Sequence, residues 1–209
     1  MSVFVLLLLP SLVLVVQLLC SMRKVLAFFL LTVLGLSLYA QKVVINSGHF
    51  YSVYDLQTQC PQQVGWTVTP SDFGLAKREP SWTFIQDVPH PMATANHYDY
   101  SRSGYERGHM CPALDRSSDL RAMRTTFVLS NIAPQVPSLN RGAWKKTENF
   151  CRYAALLYDS VQVVALPLFL DRDTVFLGSH HLAVPHAFIK AAWLPKNDSI
   201  IGLWFFWNK

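Results

Sequence analysis

Acidic residues are missing from the front of the chain, and cysteines are few throughout. Residues 1–40 contain no Asp or Glu and only two basic residues, Arg23 and Lys24. A stretch so poor in charge is a targeting or membrane segment rather than part of a solvated domain. Four cysteines occur in 209 residues. No two of Cys60, Cys111 and Cys151 stand at zinc-ligand spacing, which argues against a structural zinc site. Internal repeats and low-complexity tracts are absent, so solenoid architectures drop out. What remains after residue 40 is long enough for one globular domain.

The leader has its own pattern. Met22-Arg23-Lys24 opens an apolar run that ends at Ala40 before polar Gln41. That is the layout of a secretory signal peptide cleaved after Ala40. Residues 3–19 form a second apolar run, and the simplest reading makes residues 1–21 an over-long gene start with Met22 as the true one. The alternative is a membrane-anchored chain held by two apolar segments in residues 1–40, since about 17 residues is the lower limit for a span. Leu18-Leu19 before Cys20 lacks the small residue that lipidation needs. The expectation is an exported protein, periplasmic or secreted, touching membrane only through its leader. In an oxidising compartment one pair among Cys60, Cys111 and Cys151 can be bridged, and the sequence leaves the pairing open.

Without Arg23 and Lys24, the remainder holds 16 basic against 13 acidic residues, about +3. This mild excess permits a polyanionic ligand without requiring one. Phe50-Tyr51-Ser52-Val53-Tyr54 and Val64-Gly65-Trp66-Thr67-Val68 alternate like strands, with a turn at Gln59-Cys60-Pro61, and predict a hairpin. Residues 70–91 and 97–104 read as loops. A helical turn is expected at residues 119–124, a strand at 125–131, and a loop at Pro134 and Pro137. Ser138 is placed to cap a helix over residues 139–158. Further strands are expected at 161–170, 174–177, 182–184, 188–194 and 199–207. The predicted class is α+β, with a mostly antiparallel sheet and flanking helices spanning residues 41–209.

Two stretches carry chemistry. The first is Glu106-Arg107-Gly108-His109, where Gly108 suggests a close backbone approach that a side chain would obstruct. The second is Asn140-Arg141-Gly142-Ala143-Trp144 with Glu148 and Arg152. On an ideal helix Asn140, Trp144, Glu148 and Arg152 share one broad face, and Asn140 and Glu148 lie about 12 Å apart along the axis. Hydrolysing a phosphodiester needs a base for water, positive charge at the phosphoryl oxygens and stabilisation of the departing alkoxide. Histidine suits the first task and a divalent ion the other two. Magnesium keeps several waters, so one neutral amide oxygen can be enough direct ligation.

These stretches, with Phe127-Val128-Leu129-Ser130-Asn131-Ile132-Ala133-Pro134-Gln135 between them, resemble the DNA/RNA non-specific endonuclease family. The resemblance implies a ββα-metal nuclease fold and a Mg²⁺-dependent endonuclease of low sequence preference, with Mn²⁺ as a substitute. It implies His109 as general base, Asn140 as the direct metal ligand, and Glu148 holding the metal's water shell. Arg107 and Arg152 would meet the phosphate, and Arg78 matches a further phosphate-binding arginine more loosely. DNA and RNA are the implied substrates, with 5′-phosphate ends; a homodimer is compatible and no stable protein partner is expected. The chain departs from the family at Glu106, where Asp is usual, so the carboxylate is expected to keep a local structural role. It departs at Leu114, expected to tighten packing behind the site, and at Phe127, where some members carry a metal-proximal asparagine. Relatives usually continue beyond a strand like the one ending at Trp207, so a shortened C-terminus is a further expectation. Two rival readings stay open: a phosphodiesterase acting on small or lipid diesters, and a decayed copy that binds nucleic acid without cutting it. Histidines His180, His181 and His186 are read as strand and loop residues, and Cys111 as no nucleophile.

Overall fold

The computed structural model describes residues 42–87, 95–170 and 173–209. The leader, residues 1–40, lies outside the described residues, and so do the expected signal peptide and anchor. Among the described residues, ten strands and two α-helices follow in order. They are β1 (Lys42–Asn46), β2 (Tyr51–Asp55), β3 (Cys60–Val68), β4 (Glu106–His109), α1 (Leu120–Thr125), β5 (Ile132–Gln135), α2 (Lys145–Tyr158), β6 (Val161–Leu168), β7 (Phe176–Leu177), β8 (Leu182–Ala183), β9 (Ala187–Leu194) and β10 (Ser199–Trp207).

Six strands form one sheet in the order β1-β2-β3-β6-β9-β10. Every pairing in it is antiparallel. The expected hairpin is β2 with β3, and Tyr51 faces Gly65. Its turn comes earlier than expected: Gln59 takes the left-handed conformation (φ 56°), and Cys60 and Pro61 already belong to β3. Alternation sends Val64, Trp66 and Val68 of β3, Val161, Val163 and Ala165 of β6, and Phe188 and Ala192 of β9 into the main core. The opposite face carries a smaller cluster of Val164, Ala191 and Trp193.

On the main-core side a second layer holds α2 and the two-stranded sheet of β4 and β5. In this layer the sequence expectation for residues 125–131 fails. Val128 makes only an isolated bridge to Ile85, and Leu129–Asn131 is a 3₁₀ turn. The reason lies in Asn131. Its buried side chain accepts from the Cys111 N–H (2.8 Å) and donates to the carbonyls of Cys111 (2.9 Å) and Thr126 (3.0 Å). Those groups are thereby drawn into a turn instead of a ladder. The strand is displaced to Ile132–Gln135, which takes in Pro134.

Candidate active site

Strand β4 is four residues long and pairs with β5, Gly108 opposite Ala133. A Cβ at Gly108 would sit 2.1 Å from the Gln135 side-chain oxygen, and Gln135 is fully buried. The glycine is required by that close approach. Alternation along β4 puts Arg107 and His109 on one face. There they meet an aromatic wall. The His109 ring lies 4.8 Å from Phe127, edge-on, and 5.4 Å from Phe84. Phe127 is thus a buried hydrophobic backing for the imidazole.

Burial among these rings, and secondarily the Arg78 guanidinium, lowers the His109 pKa from 6.5 to about 3. The imidazole is therefore neutral at pH 7, the form from which a general base starts. Its Nε2 is buried and meets no hydrogen-bond partner in the protein, a polar atom left for a donor that the chain does not itself supply.

Two arginines converge on the same wall. Arg78 is exposed, with its guanidinium 4.9 Å from the Phe127 centroid and 5.8 Å from Phe84. It donates to the Trp82 carbonyl at 3.0 Å. Arg107 lies 5.1 Å from the Tyr100 ring and 5.9 Å from Phe84, and donates to the His97 carbonyl. Burial lowers the Arg107 pKa, while guanidinium remains charged at any working pH.

The helix that brings Asn140 is not the uniform one expected over residues 139–158. Leu139–Trp144 forms a π turn, and Gly142 departs from helical geometry (φ −102°, ψ −107°), before α2 begins at Lys145. Ser138 makes no side-chain cap. Single π turns inside helices recur at functional sites, and this one changes the phase of Asn140 relative to Glu148. Two hydrogen bonds fasten the segment to β4. Asn140 Nδ2 donates to Glu106 Oε2 at 2.8 Å, and Trp144 Nε1 donates to the His109 carbonyl at 3.0 Å. Arg141 pairs with the other Glu106 oxygen. A carboxylate can only accept, so the amide must turn its nitrogen to Glu106 and leave Oδ1 to offer elsewhere. Glu106 and His109 are three residues apart on β4, about 10 Å, and strand alternation turns their side chains to opposite faces; the two hydrogen bonds join the segments that carry Asn140 and His109.

Glu148 and Arg152 follow on α2. Burial raises the Glu148 pKa to about 6, against the pull of Lys190. Lys190 on β9 is fully buried; its Nζ has no hydrogen-bond partner and lies 3.6 Å from the Trp144 ring centroid. Arg152 is more engaged than a phosphate-binding role alone suggests. It donates to Asp115 at 2.8 Å and to Asn149 at 2.6 Å, and the buried Asp115 also accepts from Trp66 Nε1 at 2.9 Å. Sequence reading missed Asp115, Gln135 and Lys190, because each matters through a partner far away in the chain. The pairing of buried types with opposite charge was the one available signal.

Other expectations resolve against the structure. Leu114 does not tighten the packing behind the site; its side chain is about half exposed (52%). Cys60, Cys111 and Cys151 are all buried free thiols, with no bridge among them. Burial pushes the Cys111 thiol pKa up strongly and that of Cys151 to about 12, so neither is a thiolate nucleophile at neutral pH. His180 pairs with Asp99 at 2.9 Å.

Among the described residues no group of three or more His, Cys, Asp and Glu could hold a metal. Of the residues expected to serve a metal, Asn140 offers Oδ1 and Glu148 a carboxylate. That donor set fits an ion that keeps most of its own waters, as Mg²⁺ does.

Three comparisons bear on this geometry. The family model for DNA/RNA non-specific endonucleases matches residues 31–207. Endonuclease G, mitochondrial, of Bos taurus is 39% identical over 113 residues, covering 50% of this chain and 38% of that protein. The mitochondrial nuclease of Saccharomyces cerevisiae is 39% identical over 130 residues, covering 61% of this chain and 40% of its own. The match thus spans about two fifths of these curated relatives. A crystal structure of an EndoG/EndoGI complex aligns with a TM-score of 0.67 and 29% identity, covering 79% of this chain and 74% of that one. The α+β architecture is therefore that of a ββα-metal nuclease.

Proposed function

The chain belongs to the DNA/RNA non-specific endonuclease family, and from that premise we propose that it hydrolyses phosphodiester bonds of DNA and RNA with little sequence preference. His109, neutral because it is buried, takes the proton of an attacking water. Arg107 and Arg78 meet the phosphoryl oxygens from the aromatic wall. Asn140 would hold a hydrated Mg²⁺ through Oδ1, and Glu148 would hold one of its waters. The ion supplies positive charge for the phosphoryl oxygens and the departing oxygen. Mn²⁺ would serve in its place. Water attacks in line, the 3′-oxygen leaves, and 5′-phosphate ends result. Arg152 contributes charge beside Glu148 while anchored on Asp115.

The observation that carries this reading is the double fastening of Asn140 to Glu106 and Trp144 to His109. It joins a candidate base and a candidate ligand on adjoining backbones. We also propose export through residues 22–40, which N-terminal sequencing of the protein made in its host would test. For the activity, the purified protein is incubated with plasmid, RNA and a small synthetic diester, in Mg²⁺ and in chelator. Cleavage of both polymers in Mg²⁺ alone, with 5′-phosphate ends, is expected. Turnover of the small diester alone would favour a phosphodiesterase, and binding without nicking would favour a non-catalytic protein.

A further inference from the structure

The most exposed aromatic side chain among the described residues is Tyr98, at 71%. An exposed tyrosine on a floppy loop would mean little, but this one is held. It sits in a 3₁₀ turn, His97–Tyr100, whose start is closed by a reciprocal cap between Asn96 and Asp99. The Tyr98 N–H donates to Asn96 Oδ1 at 2.7 Å, and the Asn96 N–H donates to Asp99 at 2.7 Å. Asp99 is buried and fixed in turn by His180 at 2.9 Å. The His97 imidazole lies against the tyrosine ring, with centroids 3.9 Å apart and the planes tilted by 37°.

The same turn is wired to the catalytic strand. The His97 carbonyl accepts from the Arg107 guanidinium, and Tyr100 lies under that guanidinium at 5.1 Å. The turn that carries Tyr98 is thus fastened through the His97 carbonyl to the guanidinium proposed to meet the phosphate.

We propose that the exposed Tyr98 ring, flanked by His97, is a nucleobase subsite, taking one unpaired base of a single-stranded DNA or RNA substrate near the cleaved phosphate. A flat π-face accepts any base, which agrees with low sequence preference. A base inside a duplex is stacked on both sides and does not reach such a shelf without leaving the helix. The subsite thus favours single strands over duplex. The inference deepens the nuclease reading and rests on it for the word substrate.

The test separates binding from cleavage. Affinity of the full chain for a single-stranded oligonucleotide containing 2-aminopurine, and for the matching duplex, is measured by fluorescence in chelator, where cutting does not intrude. Wild type should quench the single strand. Tyr98→Ala should bind it about five- to hundredfold more weakly, the loss that one missing base–aromatic stack gives, while duplex affinity moves less than about twofold. Tyr98→Trp should restore single-strand binding, and abasic oligonucleotides should erase the difference between wild type and Tyr98→Ala. Equal affinities of wild type and Tyr98→Ala for single strands, or an equal loss on both substrates, would overturn the subsite even if nicking in Mg²⁺ persists. Selective loss by Tyr98→Ala in a protein that never nicks would keep the subsite and remove the nuclease reading instead.

Discussion

The Glu106 carboxylate has one oxygen on the Asn140 amide and the other near Arg141. Its side chain, one methylene longer than the Asp that the family resemblance implies, reaches the amide, so the expected structural role takes a definite form: it sets which way Asn140 points. Removing it should free the amide to rotate and spoil the ligand without touching it. Glu106→Ala and Asn140→Ala are both expected to raise the Mg²⁺ concentration needed for half-maximal nicking, Asn140→Ala more, in a metal titration with plasmid. Identical Mg²⁺ curves for Glu106→Ala and wild type would contradict the clamp. Two titrations pull in opposite directions at this scale. His109 is held neutral, with its pKa lowered to about 3. The unfolded chain takes up that proton below about pH 6.5, so this contribution is intact above pH 6.5 and fades as pH falls toward 3. Glu148, raised to about 6, contributes fully below its unfolded value and loses that contribution as pH rises through 6. Thermal melts from pH 7 to 4 should therefore show His109→Asn less acid-sensitive than wild type and Glu148→Gln more so. The types of His109, Asn140 and Glu148 were legible in the sequence, because motif spacing carries them. The partner of Asn140 was not, because a contact across 34 residues leaves no local trace.

At the scale of elements, β4 and β5 make a small two-stranded sheet that depends on one missing side chain. Gly108 lets the buried Gln135 side chain fill the space a Cβ would need. Gly108→Ala should destabilise by about 1–3 kcal/mol, the usual cost of overpacking a filled core. Gln135→Ala in the same chain should recover much of that loss, and denaturant melts of the double-mutant cycle would measure the coupling. Additive losses would mean that the close approach is not the reason for the glycine. The sequence predicted such an approach at Gly108 without naming its partner. It did not reveal the π turn at Leu139–Trp144, since one turn of six residues is too short to leave a periodicity of its own. Residues 125–131 misled for another reason: β-branched and aromatic types suit a strand, but the Asn131 side chain holds the Cys111 and Thr126 backbone instead. Strand β1 was not anticipated because its short run, Lys42–Asn46, directly follows the apolar leader.

Across the whole molecule, the helix layer is tied to the large sheet by polar contacts as well as by the core. Asp115 takes Arg152 from α2 and Trp66 from β3. Breaking a buried pair by removing one partner typically costs about 3–5 kcal/mol. Arg152→Ala is accordingly expected to lower Tm markedly, and activity assays at a temperature where it stays folded should show a smaller defect than the melt suggests. A large fall in kcat/KM with unchanged Tm would instead make Arg152 chiefly a substrate contact. Antiparallel topology was readable from the short alternating runs, and β6, β9 and β10 fall close to their expected spans. Which apolar faces stay open was not readable. Leu156 and Leu157 on α2, and Leu203, Phe205 and Trp207 on β10, are each about half exposed, although their composition matches that of buried strands and helices.

The proposed nuclease turns on a neutral imidazole acting with an amide that would hold a hydrated ion. Supercoiled plasmid nicking by wild type and His109→Ala, each in Mg²⁺ and in EDTA, measures this most directly, with circular dichroism to verify that the variant is folded. The expected result is loss of about 10²–10⁴ in rate for a folded His109→Ala, the range for removing a general base, and no nicking by either protein in EDTA. Undiminished nicking by His109→Ala, or wild-type nicking that continues in EDTA, would contradict it.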